Sequence, residues 1–140
     1  MDLFLFPYEQ LDLWKVSMDF VTDIYELLKS FPDNEKYALV SQIRRAAISV
    51  PSNIAEGTGR MSIKEKLHFN DIAMGSLVEV MCHLDISNRV GYIDDDELHR
   101  FKLTAIRISK MLSGYRRSMI NRLKDESSTK KSKDEQKYNI

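Results

Sequence analysis

The stretch SIKEKLHFNDIAMGSLVEVMCHLDISNRVG, residues 62–91, decides the fold. It opens on Ser62-Ile63-Lys64-Glu65, a capping box in which the hydroxyl and the glutamate three residues on satisfy each other's free backbone donors. It closes on Gly91, a natural left-handed terminator. Between them Ile63, Leu67, Ala73, Met74, Leu77, Val78, Val80, Met81 and Leu84 cover about half the helical circumference, wider than the ~100° stripe of an ordinary surface helix. Such a helix is either central in a bundle or buried against another subunit as well.

Upstream, Leu39, Ile43, Ala46, Val50 and Ile54 line one side of a second helix that starts near Asp33, a suitable N-cap. Pro51 falls inside this pattern and removes a backbone donor, so a kink or short break is expected there. Gly57 and Gly59 then supply its C-cap and loop. A first helix runs from about Leu11 to Ser30, with Leu11, Trp14, Met18, Val21, Tyr25 and Leu28 as its apolar face. Phe31-Pro32 ends it, because the residue before proline avoids helical geometry. Downstream, Asp94-Asp95-Asp96-Glu97 suit the positive end of a fourth helix, whose apolar face is Phe101, Ala105, Ile108, Leu112, Tyr115, Met119 and Leu123. Four helices with short connections predict an all-α, up-and-down antiparallel four-helix bundle over residues 11–124. Residues 1–10 form a lead-in, and 125–140 read as a disordered polar tail with almost nothing to bury.

Composition is that of one soluble domain: 140 residues, 43% apolar and 30% charged, with five Gly and three Pro. Lys plus Arg and Asp plus Glu are both 21, so any case for nucleic acid must rest on where charge sits. The single cysteine, Cys82, excludes an intrachain disulfide, and no run resembles a signal peptide or a ~20-residue membrane span. A cytoplasmic location is expected.

The sharpest catalytic hypothesis for a bundle is a di-metal carboxylate centre built on Glu-x-x-His pairs. Glu65 with His68, and Asp96 with His99, are near matches, but both sit in first turns and project away from the apolar faces. Cys82 and His83 are adjacent and so point ~100° apart, which leaves Cys82 as a buried or half-buried inert thiol. The Gly57-Thr58-Gly59-Arg60 run follows a helix rather than a strand, so a helix-ending loop explains it better than a phosphate cradle. No enzyme, metal or cofactor is expected.

Charge is segregated. Residues 1–30 hold two basic and six acidic residues, net −4; residues 91–124 hold eight basic and four acidic, net +4, with the acids confined to the first turn. Arg107, Lys110, Arg117 and Lys124 then fall along one stripe of the fourth helix, with Arg100 nearby and Asn121 between. A stripe of this kind contacts phosphates, and its plain alternative is a solvated outer face partly matched by the acidic first helix. On the second helix Arg44 flanks the core, while Arg45 and Ile48 point outward, where a lone bundle prefers polar residues.

The run from Gln42 to Arg60, QIRRAAISVPSNIAEGTGR, closely resembles the signature of the four-helix-bundle family encoded by intervening sequences in bacterial large-subunit ribosomal RNA genes. Leu13-Trp14, Phe31-Pro32 and the segment from Ile72 to Glu79 agree with it. Relatives include accessory variability determinant proteins of diversity-generating retroelements. The resemblance implies a homopentameric barrel and a role with RNA or a reverse transcriptase, although such accessory proteins are strongly basic and this chain is neutral. It also singles out Arg44, Arg45, Ile48, Pro51, Asn53, Glu56, Gly57, Arg60 and Glu79. Those residues have a second reading: Arg44 or Arg45 pairs with Glu56 or Glu79, Ser52 and Asn53 satisfy backbone groups freed by Pro51, and the signature encodes assembly. The functional expectation is a non-catalytic oligomeric adaptor for structured RNA. The alternative is a protein-interaction scaffold without nucleic-acid affinity.

Overall fold

The computed structural model describes residues 5–138. Four helices carry the architecture: α1 Asp12–Leu28, α2 Leu39–Thr58, α3 Ile63–Arg89 and α4 Asp95–Tyr138, with single 3-10 turns at Pro7–Gln10 and Asp33–Glu35. Contacts run α1 to α2, α2 to α3, α3 to α4 and α4 to α1, with none across the diagonals α1–α3 and α2–α4. This is a four-helix bundle in cyclic order, and its short loops make neighbours antiparallel.

The ends follow capping chemistry. Ser62 Oγ accepts from the Glu65 amide at 3.1 Å and starts α3; Gly91, at φ +87°, ends the turn behind it. Asp94 and Glu97 form a reciprocal box at α4, at 2.8 and 3.3 Å. The α2 start lies later than Asp33, which sits in the 3-10 turn, and Glu35 caps the Leu39 amide at 3.2 Å. Tyr92 donates its hydroxyl to the other Glu35 oxygen at 3.0 Å, a bond that holds the phenol neutral and raises its pKa.

The core is Phe20, Ile24, Ile43, Val50, Leu77, Val80, Leu84, Phe101, Ile108 and Leu112 with their neighbours. Three expectations change here. First, α1 buries Leu13, Ser17, Phe20, Ile24, Leu27 and Leu28; of the expected face only Leu28 is buried, while Met18 and Tyr25 are 39% and 40% exposed. Ser17 is tolerated inside because its hydroxyl donates to the Leu13 carbonyl at 2.7 Å. Second, the short break expected as one outcome at Pro51 is absent: α2 stays helical on both sides of this buried residue. Asn53 donates to the Ser49 carbonyl at 2.8 Å just beyond it, while the Ser52 hydroxyl has no hydrogen-bond partner among the described residues. Third, residues 125–138, expected to be disordered, continue α4 as helix with every side chain from Lys124 to Tyr138 exposed. No Gly or Pro after Gly114 stops the helix, and Glu126 and Lys130, like Lys130 and Asp134, place opposite charges four residues apart, a spacing that favours helix.

Candidate nucleic-acid interface

The α4 cations divide by what surrounds them. Arg107, Lys110, Arg117 and Lys124 are exposed, and among the described residues no hydrogen bond or ion pair holds them. Asn121 is exposed beside them, and so are Leu103, at 56%, and Gly114. Arg100 differs, because its guanidinium lies over the Phe101 ring at 4.6 Å and lines a cleft of about 270 Å³ with Asp23, Glu26, Leu27, Ser30 and Glu97. Its charge is therefore partly answered by the acidic flank of α1. Arg116 is withdrawn altogether, donating to Asp71 of α3 at 3.0 Å. The stripe is thus four free cations on one side of a long helix, the pattern that attracts a phosphate backbone.

The signature residues do something else. Gly57 is buried inside α2 rather than in a loop, and a Cβ there would stand 3.1 Å from Phe69 Cβ of α3. The glycine is what lets the two helices close. Ser49 and Ser76 hydroxyls meet at 2.7 Å across the same interface, and Asn53 Nδ2 donates to Ser49 Oγ at 2.9 Å. Lys66 donates to the Gly57 and Thr58 carbonyls at 3.4 and 3.2 Å, a cation at the negative end of α2. The expected ion pairs of Arg44 and Arg45 are absent among the described residues. Glu56 pairs with Arg60 at 2.8 Å, Arg60 lies over Phe69 at 4.7 Å, and Glu79 stands 3.3 Å from His83 Nε2. Arg44 stacks on Tyr25 at 5.2 Å with its Nε buried and unpartnered, and Arg45 is exposed and unpaired. Ile48 is 40% exposed.

Cys82 is exposed, not buried, because it falls on the outward side of α3. Glu65, His68, Asp96 and His99 are all exposed in the first turns of helices that start at opposite ends of the bundle. Among the described residues no three His, Cys, Asp or Glu side chains gather as a metal set.

Sequence reasoning missed two features. Asn70 is 4% exposed and donates to the Leu112 carbonyl at 3.2 Å, fastening α3 to α4. A largely apolar groove of about 270 Å³ also runs between α3 and α4, lined by Met74, Val78, Met81 and Ile106 among others, with Lys102 and Ser109 also in its wall. The excess width of the α3 apolar face was the signal for it.

A basic-striped antiparallel four-helix bundle is the class of molecule these observations define. Residues 9–114 match the 23S rRNA-intervening sequence protein family, and the chain belongs to that family. A crystal structure of a protein of unknown function from the S23 ribosomal protein family of Bacteroides thetaiotaomicron has the same fold. Its TM-score is 0.67 at 21% identity, over 74% of this chain and 97% of that one. The curated proteins gave no match. No helix among the described residues is long and apolar enough to cross a membrane.

Proposed function

We propose that this chain is a non-catalytic, oligomeric binding module that takes structured RNA, or an RNA–protein complex, on the outer side of α4. The observation that carries this is the unpaired, exposed series Arg107, Lys110, Arg117 and Lys124. A phosphate backbone neutralised by such a series releases counterions, so affinity falls steeply with salt. By resemblance to accessory variability determinant proteins the proposed module is a homopentameric barrel with a reverse transcriptase as the associated enzyme, and the lone Cys82 favours a reducing cytoplasm. Arg100 contributes less than the other four because the α1 carboxylates compete for it.

The chain's zero net charge favours a second reading, a protein-interaction scaffold without nucleic-acid affinity. Two assays separate them. The variant Arg107→Glu/Lys110→Glu/Arg117→Glu loses RNA binding with helical content intact if the stripe is the interface. Retained binding removes that assignment. Under the scaffold reading, nuclease treatment leaves a co-purifying protein partner in place.

A further inference from the structure

We propose that the turn between α1 and α2 forms a second binding site, separate from the α4 stripe, for a nucleoside monophosphate. The nucleotide is free or is the terminal residue of a strand, since both present a phosphate monoester, a ribose and a base.

Between the end of α1 and the start of α2 lies a cavity of about 250 Å³, walled by Lys29, Phe31, Pro32, Asp33, Lys36 and Arg44 among others. The 3-10 turn Asp33–Glu35 brings the chain round to Lys36. Lys36, Val40 and Arg44 then follow at intervals of four, the spacing that sets side chains along one helical face. The wall is held from behind. Phe31 is buried with its ring 5.4 Å from that of Tyr92, whose hydroxyl on Glu35 ties the turn to the α3–α4 loop.

Charge in this wall is unbalanced. Glu35 is occupied, one oxygen by the Leu39 amide and the other by the Tyr92 hydroxyl. Glu26 answers Lys29 at 2.8 Å. Among the described residues no carboxylate pairs with Lys36 or with Arg44. Arg44 carries the argument. It is half-buried, its Nε is sealed from solvent without a hydrogen-bond partner, and its compensation is the Tyr25 ring at 5.2 Å. A desolvated guanidinium without a counter-ion is costly, and an anion in the cavity beside it relieves that cost. With two ammonium groups in the same wall, a doubly charged phosphate monoester is the anion that fits.

Two neighbours select what carries the phosphate. Asp33 is exposed in the wall, and its carboxylate has no hydrogen-bond partner among the described residues. It repels a bare phosphate and accepts from hydroxyl donors, which a ribose supplies. Tyr37 is 88% exposed, and Lys36 Nζ stands 5.5 Å from the centre of its ring. An open aromatic face beside a cationic wall is a platform on which a base stacks. Phosphate on Lys36 and Arg44, ribose on Asp33 and base on Tyr37 together describe a nucleotide. None of Arg107, Lys110, Arg117 and Lys124 lines this cavity, so the site stands or falls apart from the α4 stripe.

The test is calorimetric titration of the full chain with inorganic phosphate, adenosine, adenosine monophosphate and two short oligoadenylates, one carrying a terminal phosphate and one ending in a hydroxyl. Adenosine monophosphate is expected to bind more tightly than phosphate or adenosine. A phosphorylated oligoadenylate that binds more tightly still, while the hydroxyl form does not bind, identifies a strand end. One that binds no better than the mononucleotide identifies free nucleotide. Lys36→Glu changes an exposed side chain, keeps the helical circular dichroism, and is expected to weaken the mononucleotide about tenfold or more. Tyr37→Ala weakens it about fivefold or more and leaves inorganic phosphate unchanged. Asp33→Ala narrows the gap between the mononucleotide and inorganic phosphate. The Arg107→Glu/Lys110→Glu/Arg117→Glu variant retains mononucleotide binding, whatever it does to structured RNA. A folded wild type that binds no mononucleotide, a Lys36→Glu chain that binds it unchanged, or its loss in the α4 variant overturns the site.

Discussion

The α2–α3 and α1–α4 interfaces are built from opposite materials. Between α2 and α3, Gly57 faces Phe69, the hydroxyls of Ser49 and Ser76 touch, and Ala46, Ala47 and Ala73 are almost fully buried. Between α1 and α4, the aromatic contact is Phe20 on Phe101, edge to face at 6.1 Å, and one end opens into the charged cleft around Arg100. The family signature is thus spent mainly on bringing two helices together. The candidate RNA surface lies outside it, on α4, and the family match ends at residue 114, before Arg117 and Lys124. Membership rests on residues 9–114, which take in only Arg107 and Lys110 of the proposed binding stripe, so the first does not establish the second.

The comparison can be strained at both interfaces. The largest effect is expected from Phe20→Ala, which removes the buried ring joining α1 to α4 and should cost about 3–5 kcal/mol in denaturant unfolding. A loss below about 1 kcal/mol would mean that α4 is held chiefly by α3. Next is Gly57→Val, whose branched side chain must push Phe69 and α3 aside, for about 1–3 kcal/mol. A neutral result would remove close approach as the reason for the signature glycine. Smaller again is the coupling between Ser49→Ala and Ser76→Ala, expected at about 0.5–1.5 kcal/mol in a double-mutant cycle. Additive single losses would show that the two hydroxyls do not rely on each other. Smallest is Arg100→Ala, within about 0.5 kcal/mol in stability because the side chain is exposed. It should also weaken RNA binding less than Arg107→Ala does.

Much of this was legible in the sequence, and the failures have physical causes. The capping box at Ser62, the acidic start of α4 at Asp94, the stop at Gly91 and the core of α2 follow from local chemistry that tertiary structure had no reason to override. On α1 two apolar stripes overlap. Leu11, Trp14, Met18, Val21, Tyr25 and Leu28 form an unbroken series, whereas the buried series Leu13, Phe20, Ile24 and Leu27 is interrupted by Ser17. Periodicity alone favours the first; the structure chooses the second because Ser17 satisfies itself against the Leu13 carbonyl. Gly57 read as a terminator because spacing says nothing of a neighbour's Phe69. The basic stripe was visible at once, but the split between free Arg107 and answered Arg100 depends on which helix lies beside each. That is a tertiary fact.

The most direct measurement is the affinity of the purified full chain for structured RNA across a salt series, beside the Arg107→Glu/Lys110→Glu/Arg117→Glu variant. Four phosphate contacts per protomer predict a log–log slope of about −3, and in the variant a loss of most binding with helical content unchanged. Salt-insensitive binding, or a variant that binds as the wild type does, would contradict the account and turn the search to protein partners.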